Sequence, residues 1–493
     1  MPQRFRLLAV VGALLGTLLA ATAAAAAVQA PDTPASSSDT TYACTTPQPE
    51  WNYAWYHCYT PADITNAYGV NVLQSQGVLG QGQTIVLVDS YGSPTAASDL
   101  QFFHDTFYPS LPSPSFEQVL PNGQPDYKNV GKGQSGSSGA AGWSGEATLD
   151  IEWAYAIAPL AHIVLIAVPP AETEGVQGFP NLFKAVSDEI DATPAGTVFS
   201  MSFGVTEQTF GGAAQQQIGK FDAVFQKGIA KGDTFFASSG DDGSLGVSKQ
   251  HRDTATYSYP TDGWPASSPY VTAVGGTQLQ YGWTWAPTSD VAFNADGSAN
   301  PDYFAYTAGG NLNAVWNESW LPAASGGGPS TPYLRPSWQN GVASTIGPNA
   351  RGVPDLAWNA AVNGGVLVYI TAFPQYQRSG WHVYGGTSAA SPQVAALTAL
   401  AEQERAAAHE APLGNIDPLL YAHPSWFTDV QPVTEGTAQS GKLVNNRDWD
   451  YNGDGVAVAP DKVPGRPTLA GYDLTTGLGT PYAPAYVAGL AGS

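Results

Sequence analysis

Residues 385–392 read Gly-Gly-Thr-Ser-Ala-Ala-Ser-Pro, and an alanine-rich run follows over residues 393–400. The two glycines let the backbone turn tightly, and alanine favours helix, so the pattern places Ser388 on the first turn of a helix. Spare N–H groups and the positive end of the helix dipole would stabilise an anion there. Pro392 is tolerable so close to the helix start, and the helix is apolar nearly all round, which predicts burial. A packing turn with an incidental serine would explain Gly-Thr-Ser alone, but it explains the full eight residues less well.

These eight residues resemble the Gly-Thr-Ser-x-x-(Ser/Ala)-Pro signature around the nucleophilic serine of subtilisin-like peptidases. That superfamily has a Ser-His-Asp branch and a Ser-Glu-Asp branch, whose members are the sedolisins or serine-carboxyl peptidases. The resemblance implies that Ser388 is the nucleophile. Other parts of the chain have to separate the two branches.

Two acidic residues, Glu146 and Asp150, are four positions apart in an apolar segment that is expected to be helical. That spacing puts both carboxyl groups on one face of the helix. If they are buried together, sharing protons and hydrogen bonds would drive their titrations apart, which suits a general base. An acidic first turn of a helix explains the same spacing. The spacing alone does not decide between these two interpretations.

The pattern Glu-Ala-x-Leu-Asp at residues 146–150 resembles the sedolisin motif in which Glu removes the serine proton and Asp supports the Glu. The resemblance implies that Glu146 is the base and Asp150 is its partner. The Ser-His-Asp branch has a His-Gly-Thr-His-like setting, and none of the seven histidines here is followed by glycine. His382 is near Ser388 in sequence, but its neighbours predict a strand and a half-exposed structural histidine.

Residues 235–243 predict a strand that ends in Ser-Gly-Asp, with Asp241 after the glycine. An acidic turn at the end of a sheet would explain this segment by itself. It also resembles the oxyanion segment of sedolisins, which implies that Asp241 donates a hydrogen bond to the oxyanion. A carboxyl group can donate only when it is protonated, so the implied working pH is low or the pKa of Asp241 is raised. Asp242 is an additional acid that the motif does not require.

The fold expected from the sequence is α/β, with a mostly parallel sheet and helices on both faces. Short buried runs predict strands, and helical stretches lie between several of them, which is the alternation of a parallel sheet. The predicted strands are residues 85–88, 163–168, 198–203, 234–238, 271–274 and 365–370, and the predicted helices are residues 145–158, 181–190 and 215–230. Family-like blocks extend from about residue 60 to residue 481, so the resemblance implies a subtilisin-like catalytic domain over residues 60–493.

Composition and the N-terminal segment indicate a secreted protein. Residues 1–30 combine early arginines, an apolar stretch and small residues, as a signal peptide does, and no later segment is long and apolar enough to span a membrane. The net charge of −22 argues against nucleic acid as a partner. The charged fraction of only 12% would limit positive charge in acid. We expect a monomer that acts on proteins or peptides.

Residues 31–59 form a short segment between the predicted signal peptide and the catalytic domain. It begins with a linker-like stretch at residues 31–41 and contains Cys44 and Cys58, the only two cysteines. In a secreted chain these predict one disulfide, which in the entropic model contributes roughly 3 kcal/mol. Sedolisins are usually made with a large pro-domain at this place, and this segment is too short to be one.

Two segments near the C-terminus resemble the halves of the calcium site of the family. The resemblance implies Ca²⁺ held by two carboxylates and three backbone carbonyls, all oxygen ligands of the kind that this ion prefers. The matching positions are Asp429, Val430, Leu469, Gly471 and Asp473. Leu469 replaces the usual glycine, but only its carbonyl would be needed. The acidic loop at residues 448–454 resembles an EF-hand, yet Ala459 stands at its twelfth position, so a solvated turn is favoured over a second calcium site.

Together these features predict a secreted, acid-acting serine-carboxyl endopeptidase. A tripeptidyl-peptidase of the same family is the first alternative, and a non-catalytic, calcium-stabilised binding protein on this scaffold is the second. Retention of Glu146, Asp150, Asp241 and Ser388 argues against the second alternative. A glycosidase with paired acids would leave the residues around Ser388 unexplained.

Overall fold

The computed structural model describes residues 28–29, 57–123, 125, 127, 137–168, 175–246, 257, 259–286, 288–289, 294, 300–318, 323–373, 379–430, 463 and 465–492. The predicted signal peptide falls almost wholly outside these residues, as do Cys44 and the acidic loop at 448–454. Cys58 is disulfide-bonded. Among the described residues, no helix combines the length and apolar character needed to cross a membrane.

The helices of the described residues are α1 (Pro61–Tyr68), α2 (Val70–Ser75), α3 (Ala96–Phe107), α4 (Ser137–Ile157), α5 (Phe179–Ala192), α6 (Ala214–Lys231), α7 (Ala343–Ile346), α8 (Thr387–Ala408), α9 (Asp417–Ala422) and α10 (Ala483–Ala491). The strands are β1 (Val28–Gln29), β2 (Cys58–Tyr59), β3 (Thr84–Asp89), β4 (Ser115–Val119), β5 (His162–Ala167), β6 (Val198–Met201), β7 (Val205–Thr206), β8 (Thr234–Ser238), β9 (Gly263–Trp264), β10 (Thr272–Trp285), β11 (Tyr306–Val315), β12 (Asn317–Glu318), β13 (Ala323–Ala324), β14 (Gly328–Leu334), β15 (Ala350–Val353), β16 (Leu356–Asn359), β17 (Gly365–Ile370), β18 (Gly380–Tyr384), β19 (Phe427–Thr428) and β20 (Thr480–Pro481). Short 3-10 turns lie at Gly175–Gln177, Glu207–Ala213, Ser337–Val342 and Pro424–Trp426.

The main sheet has eight strands in the order β11-β10-β8-β6-β3-β5-β4, with β16 paired to β10. Every pairing in it is parallel except the one between β10 and β11. Strands β3, β6 and β8 are buried along their whole length, as expected of parallel strands covered on both faces. The predicted α/β fold with a mostly parallel sheet is confirmed.

Helices cover both faces of this sheet, and the side chains of β6 show how. Ser200 points toward α8, where its hydroxyl lies 2.9 Å from that of Ser391. Its neighbour Phe199 points to the opposite face, because side chains alternate along a strand. There it stacks on Phe235, which contacts Phe225 of α6. The helix that carries Ser388 therefore lies on one face, and α6 lies on the other.

Two strands differ from the sequence expectation. Residues 365–370 do form a strand, but β17 belongs to a second sheet, antiparallel to β18 and parallel to β2. Strand β10 continues to Trp285 instead of ending at residue 274. It passes through Gly275 and Gly276, which directly follow the apolar run of the predicted strand. Both glycines are needed for close packing, since a Cβ at Gly276 would lie 2.6 Å from the Trp316 ring.

Candidate active site

Ser388 lies on the first turn of α8 and is fully buried. The two glycines before it are required by their surroundings. Gly386 has a φ of +97°, a value that side chains other than hydrogen rarely allow, and its N–H donates to the carbonyl of Ala360 at 2.5 Å. A Cβ on Gly385 would lie 2.5 Å from the same carbonyl oxygen. The predicted turn, helix start and buried helix are confirmed.

Pro392 is the sixth residue of α8, so it lies beyond the first turn that the sequence suggested for it. A residue there would normally donate its N–H to the carbonyl of Ser388, and proline has none. The Ser202 hydroxyl lies 3.4 Å from that carbonyl oxygen. The proline therefore leaves the Ser388 carbonyl accessible to the side chain of Ser202, which directly follows β6.

The acidic pair lies on α4, which packs against α8. Glu146 and Asp150 are both buried. Helix α4 begins nine residues before Glu146, so the pair is not an exposed acidic first turn. The Ser202 hydroxyl donates to Oδ1 of Asp150 at 3.0 Å. Because the same hydroxyl is close to the Ser388 carbonyl, Ser202 connects the acidic pair to the turn that carries the serine.

Asp241 contacts the same turn from the end of β8. Its Oδ1 accepts hydrogen bonds from the N–H and the hydroxyl of Thr387, each at 2.8 Å. The N–H of Gly240 donates to the Thr387 hydroxyl at 3.1 Å. Burial raises the pKa of Asp241 to about 6, although the two hydrogen bonds from Thr387 favour its charged form. The structure thus brings Asp241 to the residue directly before Ser388.

The sequence model of the Subtilase family matches residues 156–445, which is more than half of the chain. The chain belongs to the subtilase family. Within the subtilisin-like superfamily it is a member of the sedolisin family: Sedolisin of Pseudomonas sp. (strain 101) is 32% identical over 239 residues, covering 47% of this chain and 34% of that protein. Two further relatives match more of the chain. Kumamolisin of Bacillus sp. (strain MN-32) is 30% identical over 436 residues, covering 86% of this chain and 62% of kumamolisin. Tripeptidyl-peptidase 1 of Homo sapiens is 30% identical over 345 residues, covering 69% of this chain and 50% of the human protein.

The structure of Pseudomonas sedolisin complexed with two molecules of pseudo-iodotyrostatin has the same fold. It superposes with a TM-score of 0.60 and 24% identity, over 88% of this chain and 98% of the sedolisin chain. The subtilisin-like fold expected from the sequence is therefore confirmed. This chain spans less than two thirds of the length of the two curated relatives.

The histidine near Ser388 in sequence is a buried residue of a strand. His382 lies in β18, as predicted, but it is only 3% exposed and not half-exposed. In the sheet, His382 is paired with Val368 of β17. Elsewhere, His104 is 2.6 Å from the Tyr155 hydroxyl, and His57 stacks on the ring of Trp283.

Sequence reasoning missed a further buried acid at the end of β3. Asp89 is fully buried, and neither of its carboxyl oxygens has a hydrogen-bond partner among the described residues. Burial raises its pKa to about 8. The available signal was an aspartate that directly follows a wholly apolar run, since ligand and catalytic groups in α/β sheets collect at the carboxyl ends of strands.

The two halves of the predicted calcium site meet at the turn of residues 469–471. The Gly471 N–H donates to Oδ2 of Asp429 at 3.0 Å, and the Leu469 N–H donates to Oδ2 of Asp473 at 2.8 Å. Both carboxylates are thus brought to one turn, and carboxylate oxygens are ligands of the kind that Ca²⁺ prefers. No group of three or more acidic, histidine or cysteine side chains in the described ranges could hold a metal. The predicted site needs only two such side chains, because carbonyls supply the rest.

Proposed function

We propose that this protein is a secreted serine-carboxyl endopeptidase that works in acid through an acyl-enzyme on Ser388. One observation carries the proposal. The hydroxyl of Ser202 lies within hydrogen-bond distance of both Asp150 and the Ser388 carbonyl, so one member of the acidic pair and the turn that carries the serine meet at Ser202. A buried serine beside buried carboxyl groups at a helix start suits acyl transfer.

In the proposed reaction, the Ser388 hydroxyl attacks the carbonyl carbon of the scissile peptide while Glu146 takes the hydroxyl proton. Asp150 orients Glu146 from the next turn of α4. When the tetrahedral intermediate collapses, Glu146 returns the proton to the leaving amine and an ester remains on Ser388. Water then repeats the sequence, with Glu146 again as base, and releases the second product.

Asp241 is proposed to stabilise the oxyanion of both intermediates. All the hydrogen bonds found for its carboxyl group among the described residues go to Oδ1, so a proton on this group would sit on Oδ2. Because burial raises the pKa of Asp241 to about 6, the group is mostly protonated below that pH and can donate. The donor is lost as pH rises through about 6, which favours activity in acid.

We also propose that Asp429, Asp473 and the carbonyls of Val430, Leu469 and Gly471 hold a Ca²⁺ ion. The ion would fix the turn at 469–471 relative to the loop after β19. Oδ1 of Asp473 already accepts four hydrogen bonds, whereas Oδ2 accepts one. Oδ2 therefore has a lone pair available for the ion.

The proposal is tested by incubating the purified protein with a denatured protein substrate between pH 3 and pH 7 and identifying the cleavage sites by mass spectrometry. Internal cleavage that is strongest in acid is the expected result. Absence of cleavage across this range would contradict the proposal and favour a binding protein.

Tripeptidyl-peptidase action is the second candidate, because a protein of that name covers 69% of the chain at 30% identity. It differs in the products, since it would release a ladder of tripeptides from the N-terminus of the substrate. An N-terminally blocked peptide separates the two, because only an endopeptidase cleaves it.

A further inference from the structure

Thr387 directly precedes the proposed nucleophile, and its side chain is fully buried. The side chain branches at Cβ, so its methyl and its hydroxyl point in different directions. A Cβ on Gly276 of β10 would lie 3.4 Å from the Thr387 methyl carbon, so the methyl packs toward β10. The hydroxyl contacts Gly240 and Asp241 instead. Packing of the methyl therefore fixes the direction of the hydroxyl.

The loop that carries Asp241 is held by its backbone. The Gly240 carbonyl accepts from the N–H of Gly326 at 2.8 Å, and the Asp241 carbonyl accepts from the N–H of Ala324 at 2.7 Å. Gly240 has a φ of +112°, a value that favours glycine. With the loop held in this way, the Gly240 N–H donates to the Thr387 hydroxyl oxygen at 3.1 Å. This bond occupies one lone pair of the hydroxyl.

The hydroxyl proton of Thr387 is directed at Asp241. The Thr387 hydroxyl and the Thr387 N–H each donate to Oδ1 of Asp241 at 2.8 Å. A protonated carboxyl group accepts best through the oxygen that carries no proton. The two donors of this one residue therefore select Oδ1 as the acceptor and leave the acid proton to Oδ2.

We propose that Thr387 is a positioning residue for the oxyanion, whose hydroxyl orients the Asp241 carboxyl group so that the protonated oxygen faces the substrate. The proposal rests on the proposed peptidase function. Asp241 lines a cleft that is open to solvent, so a peptide can approach it there. Thr387 acts through Asp241 and takes no part in the bond-forming steps.

The same bonds bear on the protonation of Asp241. Burial raises the pKa of Asp241 to about 6, while the bonds from Thr387 act in the opposite direction because they favour the charged carboxylate. Loss of the Thr387 hydroxyl therefore raises this pKa further. The other titratable groups near the turn are unchanged by that loss. They are Asp242 and Asp262 of the cleft lining, Arg466 beside Asp262, and Glu146 and Asp150 of α4, which packs against α8.

The test compares pH–rate profiles of kcat/KM between pH 3 and pH 8 for the wild-type protein, Thr387→Val and Thr387→Ser, with a peptide that the wild-type protein cleaves. Valine keeps the shape of threonine without the hydroxyl, and serine keeps the hydroxyl without the methyl. Thr398→Val is the matched control, because Thr398 is a fully buried threonine of the same helix whose hydroxyl contacts Val394 and Tyr486. Circular dichroism checks the fold at every pH. Thr387→Ala lacks the same hydroxyl and takes the place of Thr387→Val if that variant does not fold.

In Thr387→Val, the acid plateau of kcat/KM should fall about 3- to 10-fold, because the neutral carboxyl group loses one orienting bond. Its alkaline limb should move up by about one pH unit, because the charged form of Asp241 loses a hydrogen bond. Thr387→Ser and Thr398→Val should keep the wild-type limb. In the Asp241→Asn background, which has no carboxyl group to ionise at this position, Thr387→Val should lower the plateau without moving the limb.

Two other results are distinguishable from the expected one. Packing damage alone would lower kcat/KM at every pH and leave the limb in place. Entry of water beside Asp241 would move the limb down, because solvation lowers the pKa of a buried carboxyl group. Either result for Thr387→Val would overturn the positioning role while leaving the peptidase function intact. A wild-type protein that cleaves no peptide would contradict the function itself, and this proposal with it.

Discussion

Two aspartates in this molecule have similar hydrogen-bond partners and different environments. Asp241 at the active site and Asp473 at the C-terminal turn both accept bonds from the N–H and the hydroxyl of a threonine. For Asp241 these two bonds are on Oδ1. For Asp473, both carboxyl oxygens are engaged, by Leu469, Thr475 and Thr476.

The difference indicates separate tasks for the two residues. Burial raises the pKa of both carboxyl groups. Asp241 lies half-buried at a cleft, so its second oxygen can carry a proton and contact a substrate. Asp473 is 1% exposed and ties a turn together. An aspartate with a spare oxygen suits catalysis, whereas one surrounded by donors suits folding and metal binding.

The largest effect is expected at Ser388, the proposed nucleophile. Ser388→Ala should lower kcat/KM by about 10⁴-fold or more, because the nucleophile is lost, with an unchanged circular dichroism spectrum. Ser391→Ala is the matched control, since Ser391 lies on the same buried helix and its hydroxyl is within hydrogen-bond distance of Ser200. Turnover at the wild-type level in Ser388→Ala would remove the serine from the mechanism.

A loss of about 10²- to 10⁴-fold in kcat/KM is expected for Glu146→Gln, because an amide cannot accept the proton of Ser388. Glu152→Gln provides the control. Glu152 is a buried acid on the same helix, and it accepts from the Tyr369 N–H instead of facing the serine turn. Full activity in Glu146→Gln would return His382 to consideration as the base.

Asp473→Ala should affect stability and leave the chemistry intact. It removes the acceptor of several N–H and hydroxyl groups, at a cost of about 2–4 kcal/mol in the free energy of unfolding. Calcium should raise the Tm of the wild-type protein and chelator should lower it, because an ion that binds only the folded state stabilises it by RT ln(1 + [L]/Kd). The variant should lose this dependence while kcat/KM at low temperature stays near wild type. A wild-type melting curve that is the same with calcium and with chelator would count against the metal site.

A smaller effect is expected from pH on stability. The pKa values of Asp89 and Glu207 are raised to about 8, and those of Asp242 and Glu402 to about 7, chiefly by burial. In the unfolded chain these carboxyl groups have pKa values of about 4. At pH values between about 4 and the raised pKa values, the folded state binds more protons than the unfolded state, so the free energy of unfolding falls as pH rises. The Tm of Ser388→Ala, which cannot digest itself, should be roughly 5 °C or more lower at pH 8 than at pH 5. An equal or higher Tm at pH 8 would show that these acids ionise freely in the fold.

The sequence predicts the parts of this molecule that depend on local pattern. The buried strand β8 and the start of α8 follow from an apolar run and from glycines before a helix-forming tract. The end of β10 was missed because the apolar run ends at residue 274. Gly275 and Gly276 continue the strand and are needed for close packing, against Pro354 and Trp316 respectively.

The site is less accessible to sequence reasoning because it is assembled from distant segments. Motif resemblance named Glu146, Asp150, Asp241 and Ser388, and the structure places Asp241 against Thr387 and Asp150 against Ser202. Ser202 lies in a family-like block of the sequence, but its contacts with Asp150 and the Ser388 carbonyl depend on Pro392 and on the packing of α4 on α8.

The central claim is that Asp241 acts as a neutral hydrogen-bond donor, and a pH–rate profile of kcat/KM tests it most directly. For the wild-type protein, kcat/KM should fall as pH rises through about 6, where Asp241 ionises. Asp241→Ala should lose about 10²- to 10³-fold, the cost of one oxyanion donor. Asp241→Asn keeps a permanent N–H donor, so it should retain more activity than Asp241→Ala, and its alkaline limb should move to higher pH. Each protein must be folded at every pH used. An Asn variant as inactive as the Ala variant, or an alkaline limb that coincides with wild type, would contradict the claim.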